Sequence, residues 1–414
     1  EVQEKTTSEI SKLLKGQANT SLKLTIKRYG VDDQLELNLT REKITIDNVP
    51  YYGMVSEDVG YIKLSDFTTN AGKEVKNALL ELKNEGATSI ILDLRDNPGG
   101  LLNEAVNVSN VFIPKGSEVV STRGKVRDWN KIYKALNIPV DNEIPVVVIT
   151  NSRSASAAEI VAGVIQDYDR GVLVGQKTFG KGLVQATRPL TYNAQLKVTT
   201  AKYYTPSGRC IQAIDYSNRN EDGSVGKIPD SLKVAFQTTN GRTVYDGGGV
   251  DPDITTELEH LAPITVSLIF KSIIFDYGTE YHFEHESIPD AVDFSISDEE
   301  FDDFVTWLSD KDFDYTTKVE NSMEKLESLA KQEKHYQEIK NEIENLKNKV
   351  KHNKVADLIT FRAEIKEVLE EEIASRYYFQ EGIIEASFDQ DKDVQRAIQV
   401  LHNQEEYKSL LVKN

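Results

Sequence analysis

Two stretches of the chain are apolar at nearly every position: SIILDL at 89–94 and IPVVVIT at 144–150. A strand that faces water on one side alternates between apolar and polar residues, whereas a strand without alternation is buried on both faces. The intervening and following sequence has helical periodicity. Val75, Ala78, Leu79 and Leu82 form one stripe within 70–85, and residues 101–111 and 156–168 read as further helices. VGYIKLSDF at 59–67 and GVLVG at 171–175 read as additional strands. Strands alternating with helices imply βαβ units and a mostly parallel sheet. Strands dominate 183–204, and residues 205–258, rich in Gly, Asp and Asn, read as long loops with a short strand or two.

The flanks differ from this centre. Residues 7–13 read as a helix with Ile10, Leu13 and Leu14 on one side. Two alternating strands follow, with Leu22, Leu24 and Ile26 in the first and Leu35, Leu37 and Leu39 in the second. Helix, strand and strand in about forty residues are too few for an independent core. Residues 261–414 read as helical, with Ser297 or Asp298 capping one helix and Ile339, Ile343, Leu346 and Val350 making a short heptad-like seam. That region holds 34 acidic and 18 basic side chains and accounts for most of the net charge of −18. Such acidity argues against nucleic acid or an anionic membrane as a partner. No apolar run approaches a membrane span. The chain opens on Glu1 without a charged-then-apolar leader, as a processed or trimmed chain would. One cysteine, Cys210, excludes an internal disulfide framework and a Cys-rich metal site and reads as a small apolar strand residue. Nothing calls for a metal or cofactor.

Chemistry in an open α/β sheet gathers beyond the carboxyl ends of the strands. Three polar, glycine-bearing segments fall there: LRDNPGG at 94–100, NSRSASAAE at 151–159 and KTFGKGLVQ at 177–185. All six histidines lie at or beyond His260, so a Ser-His-Asp triad cannot be built inside the α/β region. Lysine is the alternative base where its surroundings keep it neutral. Lys181 sits between Gly180 and Gly182, with Phe179, Leu183 and Val184 nearby to supply a dry pocket. Ser156 and Glu159 fit a capping box, and on that motif alone Ser156 is a helix cap. A helix N-terminus also offers unpaired N–H groups and the positive end of the dipole, which suit an oxyanion.

Taken together and in chain order, LDLRDNPGGLL, SASAAEIVAGVIQD, LVGQKTFGKGLVQ and KYYTPSGRCIQ resemble the hallmark segments of the carboxyl-terminal processing, or tail-specific, serine proteases. The resemblance covers roughly residues 7–260. It implies a crotonase- or Clp-like α/β protease core at 49–260, preceded at 1–48 by the last part of a PDZ-like module; the all-α acidic domain at 261–414 lies outside it and rests on the helical reading above. It implies Ser156 as nucleophile, Lys181 as base and Gln185 as the group that orients the lysine. The backbone N–H groups of Gly100 and Ala157 are the implied oxyanion donors, with Arg95, Asn97, Gly99 and Ser154 in support. The substrates implied are proteins and peptides with free, apolar C-terminal tails. The family is mostly exported, so the periplasm or cell envelope is the expected location. Residues 261–414 are open to roles in homo-oligomer or adaptor contacts. Two competing readings are an enzyme of acyl-thioester chemistry and a catalytically inactive scaffold that binds through the acidic helices.

Overall fold

The computed structural model describes residues 2, 4–219, 222–258, 260–350 and 354–413. The chain divides into two compact units, one of residues 46–258 with 390–414, the other of residues 1–45 with 259–389. The second unit begins with α1 (Thr7–Leu14), capped by Thr6, and the hairpin β1 (Ser21–Ile26) and β2 (Leu35–Thr40), in which Leu24 lies opposite Leu37. No residue of α1 is buried. The hairpin turn sets Tyr29 edge-on to Phe283, with ring centroids 5.4 Å apart.

The first unit is built on β3 (Tyr51–Met54), β4 (Val59–Lys63), α2 (Ala71–Glu85), β5 (Ser89–Asp93), α3 (Leu102–Phe112), β6 (Glu118–Gly124), β7 (Lys131–Lys134), β8 (Val146–Thr150), α4 (Ala157–Asp167) and β9 (Val172–Gly175). Next come β10 (Leu183–Pro189), β11 (Gln195–Tyr204), β12 (Ile214–Arg219), β13 (Val225–Lys227), β14 (Ala235–Gln237), β15 (Thr243–Tyr245) and β16 (Ile254–Thr255). The main sheet has six strands in the order β16-β9-β8-β5-β4-β3, all parallel except the edge strand β3. A four-stranded antiparallel sheet, β10-β11-β6-β7, stands beside it. Residues 205–258 hold five short strands, more than their loop-rich composition suggests.

Both predicted apolar strands are buried at every position, and their register explains how. Ile62, Leu92, Val148 and Leu173 lie side by side across β4, β5, β8 and β9. They join one core with the α2 stripe, Val75, Ala78, Leu79 and Leu82, and with apolar residues of α3 and α4. The alternate residues Tyr61, Ile91, Val147 and Val174 are equally buried and face the other way.

The helices of the second unit are α5 (Pro263–Phe270), α6 (Ile273–Glu284), α7 (Asp298–Trp307), α8 (Lys318–Gln332), α9 (Tyr336–Val350), α10 (Lys354–Thr360) and α11 (Arg362–Ser387). Ser297 caps α7. The heptad-like seam packs within a helical pair: Ile343 is buried with Met323 and Ala330, Ile339 packs against them, and Leu346 stays exposed. No helix among the described residues is long and apolar enough to cross a membrane.

The last two helices, α12 (Lys392–His402) and α13 (Gln404–Leu410), correct the expected boundary of an all-α domain at 261–414. They belong with the α/β unit, because α12 packs on β5, β8 and β9 and buries Val394, Ala397, Val400 and Leu401. Without α12 the apolar side chains of three strands on that face would meet water. The buried hydroxyl of Tyr407 on α13 accepts the Val146 N–H at 3.0 Å, beside the Val146 carbonyl at 3.3 Å. Tyr407→Phe strands that N–H, and unfolding stability is expected to fall by about 1–3 kcal/mol. Urea denaturation with an unchanged m-value would register this as a lower midpoint. An unshifted midpoint would contradict the contact.

Candidate active site

The loop after β5 is fixed by side chains that turn back on its own backbone. Asn97 is fully buried. Its Nδ2 donates to the Leu64 carbonyl at 2.7 Å, its Oδ1 accepts the Gly99 N–H at 2.9 Å, and its carbonyl accepts the Ala155 N–H at 2.9 Å. The Ser154 hydroxyl donates to the Leu94 carbonyl at 2.7 Å and accepts the Asn151 N–H at 2.9 Å. The predicted supporting residues Asn97 and Ser154 therefore join the loop after β5 to the loop after β8. At the root of the first loop, Arg95 binds Asp93 through Nε and Nη2 at 2.7–3.1 Å. Asp93 is completely buried and also accepts Lys63 and the Tyr61 hydroxyl. Burial alone would raise its carboxyl, but the Arg95 and Lys63 charges hold it far below the ordinary carboxylate range.

Two glycines bring this loop against the start of α4. Gly99 has φ +91°, and a Cβ there would stand 2.6 Å from the Ala155 carbonyl and 2.7 Å from the Ala157 nitrogen. Only glycine permits both the conformation and the approach. Phe67 bridges Gly100, donating to the Gly99 carbonyl at 3.4 Å and accepting the Leu101 N–H at 2.8 Å. In a parallel bridge of that kind the N–H of the residue between points away from its neighbour strand, so the Gly100 N–H is left free of Phe67. Ala157, the first residue of α4, has an N–H with no acceptor inside its helix.

Ser156 precedes α4 at φ +55° and ψ −111°. Thr6 and Ser297 cap their helices from extended conformations near φ −65 to −70°. The twist at Ser156 costs about 1–3 kcal/mol for a residue with a side chain, and such strain concentrates at functional positions. Capping alone does not require it.

Glu159 and Tyr203 connect Ser156 to the lysine loop. Glu159 is fully buried. One carboxylate oxygen accepts the Ser156 N–H and the Lys181 N–H, both at 2.8 Å. The other accepts the Thr178 hydroxyl at 2.6 Å and the Gly180 N–H at 2.7 Å. Burial pushes the Glu159 carboxyl up, opposed by these four donors. The buried Tyr203 hydroxyl lies against the Ser156 carbonyl at 3.1 Å and the Lys181 carbonyl. Gln212 accepts the Gly182 N–H at 2.8 Å. From sequence Glu159 is only a capping residue and Tyr203 only a strand residue. The signal available for Glu159 was an acid followed by an uninterrupted run without polar side chains, residues 160–165.

The backbones of Ser156 and Lys181 are thus brought together, but the side chains of the predicted set are not all engaged. Lys181 is exposed, and its Nζ has no hydrogen-bond or ion-pair partner among the described residues. The expected dry pocket is not formed, because Phe179 is 50% exposed. The loop is held instead through the backbone N–H groups of Gly180, Lys181 and Gly182, while Val184 packs toward the core. Gln185 is exposed at a bulge in β10 and lines a groove of about 610 Å³ with Arg123, Lys202, Gln212 and Ile214. Among the described residues no cluster of three or more His, Cys, Asp or Glu side chains is placed to hold a metal ion. Cys210 is half-buried with a free thiol.

Comparison with known proteins agrees with the segments that build this geometry. Residues 58–218 match peptidase family S41, and residues 264–401 match the C-terminal helical domain described for probable PDZ-proteases. A carboxy-terminal-processing protease of Bartonella bacilliformis is 41% identical over 213 residues, covering 50% of this chain and 48% of that protein. A carboxyl-terminal-processing protease of Synechocystis is 38% identical over 209 residues, with coverage of 50% and 48%. The chain spans about half the length of these curated relatives. Among solved structures, a photosystem II D1 C-terminal processing protease is 27% identical, with coverage of 62% and 60% and a TM-score of 0.40. Over its S41 segment the chain is similar to the carboxyl-terminal-processing proteases, and the segment that follows is similar to the C-terminal helical domain of probable PDZ-proteases.

Proposed function

We propose that the protein is a serine endopeptidase that cleaves proteins near apolar, unstructured C-terminal tails by a Ser-Lys pair. Neutral Lys181 takes the proton of the Ser156 hydroxyl as Oγ attacks the scissile carbonyl. The Gly100 and Ala157 N–H groups receive the oxyanion, and protonated Lys181 returns its proton to the leaving amine. Water, deprotonated by the same lysine, then releases the acyl group. Gln185 orients Lys181. The observation that carries the reading is the strained Ser156, held with Gly99 against it and sharing one buried carboxylate, Glu159, with the backbone of Lys181. Lys181 is exposed in this structure, so substrate has to cover it before it can work as a neutral base. Residues 1–48 are the tail of a PDZ-like module in this proposal, and the protein acts in the periplasm or cell envelope.

The test is proteolysis of an unfolded reporter carrying either an apolar tail or the same tail ending in two aspartates. Faster cleavage of the apolar version is expected. Equal rates would remove the tail preference, and cleavage of neither would remove the peptidase assignment. Gly99→Ala probes the oxyanion side. Its Cβ has to push the loop away from Ala155 and Ala157, and kcat is expected to drop on the order of 10²-fold, the scale of one lost oxyanion donor. Unaltered kcat in that variant would separate the loop from catalysis.

A further inference from the structure

Arg95 stands at the root of the loop that carries Gly99 and Gly100, and carboxylates from two distant parts of the sequence converge on it. Asp93 on β5 is one. The others come from the start of α12. Asp391 grips the guanidinium with both oxygens, Nη1 to Oδ1 at 2.9 Å and Nη2 to Oδ2 at 2.7 Å. Asp393 Oδ2 stands 3.3 Å from Nη1, and its Oδ1 accepts the Thr256 hydroxyl at 2.5 Å. Asp391 Oδ1 also caps α12, accepting the N–H groups of Asp393 and Val394 at 3.0 and 3.1 Å. All four charged side chains are at most 17% exposed.

A two-point arginine–carboxylate pair fixes the plane of the guanidinium as well as its distance. Here one end of the pair is immobile: α12 is anchored to the sheet by Val394, Ala397, Val400 and Leu401. The other end leads straight into the loop, because the Arg95 N–H and Nε both bind Asp93 Oδ1, at 2.8 and 3.1 Å. Asn97 fixes the far part of the same loop. The donor at Gly100 is five residues from Arg95, and a displacement of about 1 Å at such a group is enough to cost on the order of 10²-fold in rate.

We propose that Asp391 and Asp393 are positioning residues for peptide-bond hydrolysis: from the end of the chain they clamp Arg95, which sets the loop 94–100 and aims the Gly100 N–H at the oxyanion. The inference rests on the peptidase reading above. Neither aspartate touches the reacting atoms. Their charge is separable from their packing, because asparagine caps a helix about as well as aspartate and the apolar stripe of α12 is untouched.

The experiment compares wild type with the Asp391→Asn/Asp393→Asn double variant in the full chain, by steady-state kinetics and by amide hydrogen exchange. The expected result is a kcat lower by about tenfold or more with KM within about twofold. Exchange at residues 94–101 is expected to speed up by about tenfold while α4 is unchanged. Asp391→Glu, which keeps the charge, should recover part of kcat. Unchanged exchange in the loop overturns the proposal, as does an unchanged kcat or a change confined to KM. If wild type itself shows no peptidase turnover, the hydrolytic reading fails and the aspartates lose their catalytic role with it. Exchange still reports, separately, whether they hold the loop.

Discussion

Ser156→Ala and Lys181→Ala are each expected to lower kcat/KM on a tail-bearing protein by about 10⁴-fold or more, and the double variant by no more than either alone. Without Oγ there is no acyl-enzyme; without the lysine amine the hydroxyl keeps its proton. Each half of the pair is idle without the other, which is why the losses do not add. Stability should separate this from a folding defect. The Lys181 side chain is exposed and without a partner among the described residues, so its removal should cost within about 0.5 kcal/mol. Alanine at 156 keeps a Cβ at the same strained φ and gains no relief from it. Two well-folded variants that are equally inactive would support the pair. Losses that multiply in the double variant would show two independent contributions, and residual cleavage in Ser156→Ala near the wild-type rate would remove the nucleophile.

The sheet was legible because double-sided burial leaves a direct trace: SIILD and VVVIT carry consecutive apolar residues without alternation, and both are wholly buried. The helices over it were legible from their stripes. The end of the chain was misplaced because helical periodicity does not say which core a helix joins. Residues 391–412 read as helices like those before them, and what separates them is the stripe Val394, Ala397, Val400 and Leu401, whose partner strands lie more than 200 residues away in sequence. At the site, the loops and the pairing of Ser156 with Lys181 at the level of the backbone followed from motifs. The twist at Ser156 did not, because a capping box looks the same in sequence at φ −65° and at φ +55°. Tyr203 was missed because a tyrosine in a strand gives no sign of where its hydroxyl points.

Glu159→Ala is expected to be the most damaging substitution outside the Ser-Lys pair. It deprives three backbone N–H groups and the Thr178 hydroxyl of their acceptor; the bonds from Thr178 and Gly180 are buried, and those from Ser156 and Lys181 partly so. At about 1–3 kcal/mol for each buried donor left unpaired, stability should fall by at least about 3 kcal/mol. Activity should fall further than this loss explains, by about 10³-fold in the fraction that remains folded, because Ser156 and Lys181 lose the atom they share. Glu159→Gln sharpens the test. Its amide nitrogen fits only where Thr178 and Gly180 stand, since at the other position it would face two N–H donors, from Ser156 and Lys181. Thr178 can accept from it; the Gly180 N–H cannot, and one hydrogen bond is lost. The cost should be about 1–3 kcal/mol, with kcat reduced about tenfold and KM little changed. Thermal unfolding and kinetics on the two variants decide the matter. If glutamine and alanine are equally harmful to both, Glu159 acts by filling space. If glutamine preserves stability while kcat falls with alanine alone, the carboxylate's charge is dispensable and its shape holds the pair. If kcat falls in step with the number of backbone donors released, Glu159 is the joint that keeps nucleophile and base in register.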